Sequence, residues 1–107
     1  MANILLSNLE VIPGRRIKSH IGMVQGSTVR AKHAGKDILA SLKNLVGGEL
    51  KAYTELMQEA REEATERMIQ QANSIGANAV LNVRYTTTAV TMGAAEILAY
   101  GTAVILE

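Results

Sequence analysis

The chain has 107 residues, a net charge of +1 and no cysteine; that is one domain, spanning 1–107, and it excludes disulfides, thiolate metal sites and a cysteine nucleophile. Phe and Trp are absent and only Tyr53, Tyr85 and Tyr100 are aromatic, so small and aliphatic side chains must do the packing. Residues 1–51 carry a net +5 and residues 52–107 a net −4, but the basic half has no aromatics on which bases could stack, which disfavours nucleic acid as a partner.

The chain opens on Ile4-Leu5-Leu6 without a basic flank or a long apolar continuation, so no secretory signal is expected. No apolar run approaches the roughly 18 residues that a membrane helix needs, and a cytoplasmic location is the default. Pro13-Gly14 is a turn signal that closes a short N-terminal arm. From Arg16 to Arg30 the pattern alternates: Ile17, Ile21, Met23 and Val29 against Lys18, His20, Gly22, Gly26 and Arg30. That reads as a strand whose glycines allow bends or close backbone approach. His33-Ala34-Gly35 reads as a loop, and Asp37 to Val46 as a short helix with apolar residues recurring at three and four.

Gly47-Gly48 breaks that helix, and a long one is expected from there to Ile75. Its apolar stripe is Leu50, Tyr53, Met57, Ala60, Ala64, Met68, Ala72 and Ile75. The central alanines would let it lie close to a sheet, and Gly76 is a good terminator. Two strands follow. In the first, Ala79, Leu81, Val83 and Tyr85 are expected to face the core, with Asn82, Arg84, Thr86 and Thr88 facing away. After a turn near Thr91-Met92-Gly93, residues 94–106 return, presenting Ala95, Ile97, Ala99, Gly101, Ala103 and Ile105 as a small apolar face toward the helix. The expected fold is α+β: a three-stranded antiparallel sheet backed by one short and one long helix. Its far face would still carry Val24, Leu98, Tyr100, Val104 and Leu106. An apolar far face needs cover, and a second copy of the chain is the simplest cover, so a homo-oligomer is expected.

Candidate chemistry is sparse. His20 and His33 are thirteen residues apart, without the spacing of a zinc site; His20 could meet Glu96 if the first and last long strands pair. Glu55, Glu59, Glu62 and Glu66 share one helix face and could hold a hard divalent cation; the plainer reading is a solvated stripe or one paired with a basic neighbour. Arg67 follows Glu63 by four and can relieve part of that charge. Gly47-Gly48-Glu49 could offer backbone N–H groups to an anion, but it lacks the phosphate-loop spacing and reads as a hinge. The far face gathers Lys18, His20, Asn82, Arg84, Glu96 and Tyr100. Of these, His20, Arg84, Glu96 and Tyr100 are the ligand or interface candidates, with Arg84 and Glu96 expected near one another across a hairpin. No nucleophile elbow or Ser-His-Asp order accompanies them, so catalysis is not expected.

The segments Ile12-Pro13-Gly14, Gly22-Met23-Val24-Gln25-Gly26, Thr28-Val29-Arg30-Ala31 and Leu42-Lys43-Asn44-Leu45-Val46-Gly47-Gly48-Glu49-Leu50 carry a family resemblance. So do Tyr53-Thr54, Ala60-Arg61, Gly76-Ala77-Asn78-Ala79-Val80 and Glu96-Ile97-Leu98-Ala99-Tyr100-Gly101-Thr102-Ala103-Val104. As a set they make the chain similar to the YbjQ-like family, whose label is heavy-metal binding. The resemblance covers nearly the whole chain. It implies a small α+β subunit in a ring-like homo-oligomer, with a pentamer favoured, and it supplies no catalytic residues. The metal label fits poorly with a chain that has no Cys and no clustered His or Met; Met57 and Met68 sit on the helix stripe and read as core filler. The sequence therefore points to a cytoplasmic homo-oligomeric binding or scaffolding protein of unknown ligand. The specific alternative is a metal-ion or small-ligand binder with its site between subunits. No cofactor is firmly expected, a divalent metal being the one left open.

Overall fold

A computed structural model describes residues 3–31, 51–91 and 94–107. In chain order these form β1 (Leu5–Leu6), β2 (Ile17–Ala31), α1 (Lys51–Ser74), β3 (Ala79–Thr91) and β4 (Ala94–Leu106). The sheet order is β1-β3-β4-β2. β4 pairs antiparallel with both β2 and β3, whereas β1 pairs parallel with β3.

This corrects the expected fold. The sheet has four strands and is mixed, not three-stranded and antiparallel. The missed strand is the N-terminal arm. Its two-residue ladder is too short to show a period, so only its hydrogen bonds identify it: Leu5 N–H to Asn78 carbonyl, 3.1 Å, and Ser7 N–H to Val80 carbonyl, 3.0 Å. One helix, not two, is present among the described residues; the short helix expected over 37–46 lies outside them, as do His33 and the Gly47-Gly48 hinge.

Helix α1 lies across β2 and β4. Ala60, Ala64, Met68 and Ala72 are fully buried, as the stripe predicted, and Met57 packs partly against them. They meet Val24 of β2, Ile97, Ala99 and Ala103 of β4, and Val80 and Val83 of β3. A glycine makes a close contact: a Cβ on Gly26 would fall on the α1 backbone at Ala64 and Met68. Small residues on both sides thus let helix and sheet backbones approach closely. Gly76, at φ +86°, ends the helix in the left-handed conformation that suits glycine. Asn78 then joins helix to sheet, its side chain bonding both the N–H and the carbonyl of Leu106.

Two irregularities change which side chains face the helix. The β2–β4 register slips between His20 and Gly22. Val24, Gly26 and Thr28 are therefore buried under α1, while Met23 is 79% exposed and Val29 54%. Val24 thus leaves the far face on which it was expected. The β3–β4 register slips between Leu81 and Arg84, where Asn82 takes φ +55°. Simple alternation would put Leu81 and Val83 on one face. Instead Val80 and Val83 both join the helix-side core, and Ala79 and Leu81 join Val104 and Leu106 on the far side. Ile12 of the arm packs over that second cluster. The expected ring-like homo-oligomer is unsupported: Val24 has moved inside, and the chain's own arm covers the Val104–Leu106 end of the face on which that expectation rested.

Candidate functional site

The sheet has a covered end and a bare end. The covered end holds the start of β3, the end of β4 and the arm. The bare end is the long β3–β4 hairpin, in which Arg84, Tyr85, Thr86, Thr87, Thr88 and Ala89 are all exposed. Side chains alternate across a strand, so six consecutive exposed residues mean that none of the described elements covers either face there.

The far face of this hairpin carries three of the four ligand or interface candidates. Arg84 stands opposite Tyr100, which stands opposite Gln25 on its other side. Glu96 stands between Thr88 and Val29 and is half-buried. The register brings Arg84 and Tyr100 together. It sets Glu96 four β4 residues from Tyr100, about 14 Å along the strand. Arg84 and Glu96 are therefore not the neighbours that a symmetric hairpin suggested. The guanidinium of Arg84 instead donates through Nη1 to the carbonyls of Asn8, 3.0 Å, and Val83, 3.1 Å. His20, exposed, lies opposite Val104 at the other end of β4, about 27 Å along the strand from Glu96. β2 and β4 do pair, but in a register that separates this couple.

On α1, Glu55, Glu59, Glu62 and Glu66 are exposed, and Glu55, Gln58, Glu59 and Glu62 line an open depression. The engaged carboxylate of this helix is Glu63. It bridges Arg30 of β2 and Arg67 one helical turn on, and Arg67 also donates through Nη1 to the Ser27 carbonyl at 2.5 Å. The Glu63–Arg67 contact was legible from its spacing of four. Arg30 was not, because only the tertiary approach of β2 to α1 brings it there. With two guanidiniums on one carboxylate, this cluster is a clamp between strand and helix and leaves little charge for a cation.

A heavy-metal site would need soft or clustered donors. Among the described residues no group of three His, Cys, Asp or Glu side chains could hold a metal ion. The thioethers of the described residues are scattered: Met68 is buried in the core, Met57 packs beside it and Met23 is exposed on β2. The described donor set does not fit a heavy metal. No helix of the described residues is long and apolar enough to cross a membrane.

The comparisons with known proteins agree on kinship and on fold. Residues 4–107 match the family described as "Putative heavy-metal-binding". A UPF0145 protein from Hahella chejuensis is 60% identical over 103 residues, covering 96% of this chain and 99% of its own. A UPF0145 protein from Thermus thermophilus is 62% identical over 104 residues, covering 97% and 91%. Among solved structures, a protein of unknown function of the DUF74 family from Pediococcus pentosaceus superposes with a TM-score of 0.68. The match is at 15% identity over 97% of this chain and 98% of that one, and it shows the α+β fold alone. The chain belongs to the YbjQ family of UPF0145 proteins.

Proposed function

We propose that this protein is a cytoplasmic, self-associating binding or scaffolding protein with no catalytic step of its own. The observation that carries this reading is the bare hairpin. Six consecutive residues of β3 are exposed: Thr86 and Thr88 share the far face with the exposed Val29 of β2, with Met23 exposed further along β2, and Tyr85, Thr87 and Ala89 are exposed on the other face. Monomeric proteins seldom leave such a surface uncovered. The absence of cysteine from the whole chain suits a reducing compartment. The test is native mass spectrometry of untagged protein purified without chelator. A discrete oligomer is expected, and a monomer across micromolar concentrations overturns the reading.

A second reading rests on the Gln25–Tyr100–Arg84 row. An arginine beside a half-buried tyrosine and an amide suits a small anionic ligand, with His20 and Glu96 contributing only if another subunit brings them near. The same spectra decide it. A stoichiometric adduct that is lost in Arg84→Ala supports it, and adduct-free subunits remove it.

A further inference from the structure

The N-terminal arm is a strap around one end of the sheet. Leu5 and Leu6 run parallel to Ala79 and Val80. The Leu5 and Ser7 N–H groups donate to the Asn78 and Val80 carbonyls. In return Val83 N–H donates to the Ser7 carbonyl and Asn82 N–H to the Leu9 carbonyl, each at 3.0 Å. Arg84 adds a bond to the Asn8 carbonyl. The arm has one apolar anchor for each face of the sheet: Ile4 packs on the helix-side cluster and Ile12 on the far-side cluster. Neither anchor is fully buried.

Beyond Ile12 the chain is held differently. Arg15 N–H bonds to the Ile12 carbonyl, with Pro13 and Gly14 (φ +81°) at the central positions, the pattern of a type II turn. Immediately after it, Arg15 Nε donates to the Glu107 carbonyl, Arg16 pairs with the Glu107 carboxylate at 3.1 Å, and Glu107 N–H donates to the Arg16 carbonyl. The turn therefore separates a strap with two half-buried anchors from a strand fastened to the end of β4.

We propose that the arm is exchanged between copies of this chain. Released at Pro13-Gly14, it leaves a groove along β3 that the arm of a second copy enters. The proposal rests on the self-association argued above and names its contact. The fit of the occupant follows from identity: a second copy carries the same segment, so every hydrogen bond and both anchors are reproduced. Inside an assembly a neighbour's arm is at high effective concentration, so reach is what limits the exchange; residues 3–12 span at most about 35 Å when extended. Leu9 and Val11 are 53% and 56% exposed on an arm lying on its own chain, and an arm passing between two copies covers more of them. The contact sets no subunit number, because arms traded in pairs and arms passed from copy to copy both satisfy it.

Leu5→Cys combined with Ala79→Cys tests it. The two thiols are the only ones in the chain. They sit on paired strands about 4.8 Å apart, within the roughly 4.4–6.8 Å between Cα atoms that a disulfide spans. The assembly is oxidised and then denatured without reductant. Covalently joined subunits are expected, at least tenfold in excess over either single variant, and an equal mixture of heavy-isotope and unlabelled protein should give mixed disulfide peptides. Monomers with both thiols oxidised internally, or both left free, overturn exchange while self-association stands. Should the double variant fail to fold, hydrogen exchange of the wild type decides. The Leu5, Ser7, Asn82 and Val83 amides should exchange together, about 100-fold faster than those joining β2 to β4; equal protection overturns release of the arm. A monomeric wild type overturns both readings.

Discussion

The two long edges of this sheet are finished in different ways. β2 runs for 15 residues along one edge, yet the helix seals its middle. Gly26 admits the α1 backbone, Gln71 and Arg67 cap two outward backbone groups, and Arg30 is held by Glu63. β3 is 13 residues long, and the arm covers only its first half. One edge is thus protected by tertiary packing, and the second half of the other has no backbone partner among the described residues. Edge protection here comes from side chains that reach over from other elements more than from charges or prolines within the strand.

The sealed edge should break most completely at Gly26. A valine there must push α1 away, because the obstacle is helix backbone and not a flexible side chain. A loss of about 3 kcal/mol or more is expected from overpacking, read as a fall in the urea midpoint at unchanged slope. Gly14 offers a contrast: its Cβ would meet nothing within 4 Å, so a change there acts through its φ of +81° alone. Equal losses at the two glycines would refute the close-approach account.

The half-covered edge depends on the bulge at Asn82. Its φ of +55° turns β3 so that Asn82 and Val83 both present their N–H groups to the arm, at Leu9 and Ser7. Asn82→Val should cost about 2 kcal/mol, since a β-branched residue is strained in that conformation. Asn82→Gly should be neutral or slightly stabilising. Hydrogen exchange at Asn82 and Val83 should rise in the valine variant first. A valine variant as stable as wild type would mean that the bulge can be refolded without loss.

Much of the core was legible in the sequence, and the reason is periodicity. The stripe Ala60, Ala64, Met68, Ala72 needs only the helical repeat, and Ile97, Ala99 and Ala103 need only the repeat of two. The same rule failed wherever one residue was added to a strand. The slips at His20–Gly22 and at Asn82 exchange faces between the two sides of each slip, which is why Val24, Ala79 and Leu81 were misplaced while Val83 was not. The candidate residues on the far face suffered from the same cause. Their types were readable, but the register decides that Arg84 meets Tyr100, and that His20 and Glu96 stand at opposite ends of β4.

A smaller effect is expected at the clamp. Glu63→Gln leaves Arg30 and Arg67 adjacent without a full counter-charge. The groups are about one-third to one-half exposed, so solvent screens much of the loss, and about 1 kcal/mol is expected. That loss should shrink as salt is raised from 0.05 to roughly 0.5 M, because screening also weakens the repulsion between the two arginines. A loss independent of salt would assign the clamp to hydrogen bonding alone.

The smallest effect probes the one described hydrogen bond that joins the exposed hairpin to the helix. The Tyr85 hydroxyl lies 2.7 Å from the Thr65 hydroxyl, and Thr65 in turn donates to the Arg61 carbonyl. The proton of Thr65 is thus already used, so Tyr85 acts as donor. The ring can span this gap because its neighbour on β4 is Ala99, which leaves room beneath it. Tyr85→Phe keeps the ring and deletes only the donor. Tyr85 is 46% exposed, so water replaces much of what is lost, and about 0.5 kcal/mol is expected. If the contact also fixes the angle of the hairpin, exchange at Thr86 and Thr88, which pair with β4, should rise several-fold while the Gly26 region stays unchanged. Rising exchange in both regions would mean that the two edges are coupled through the helix, and the contrast between a sealed and an open edge would then describe one cooperative unit.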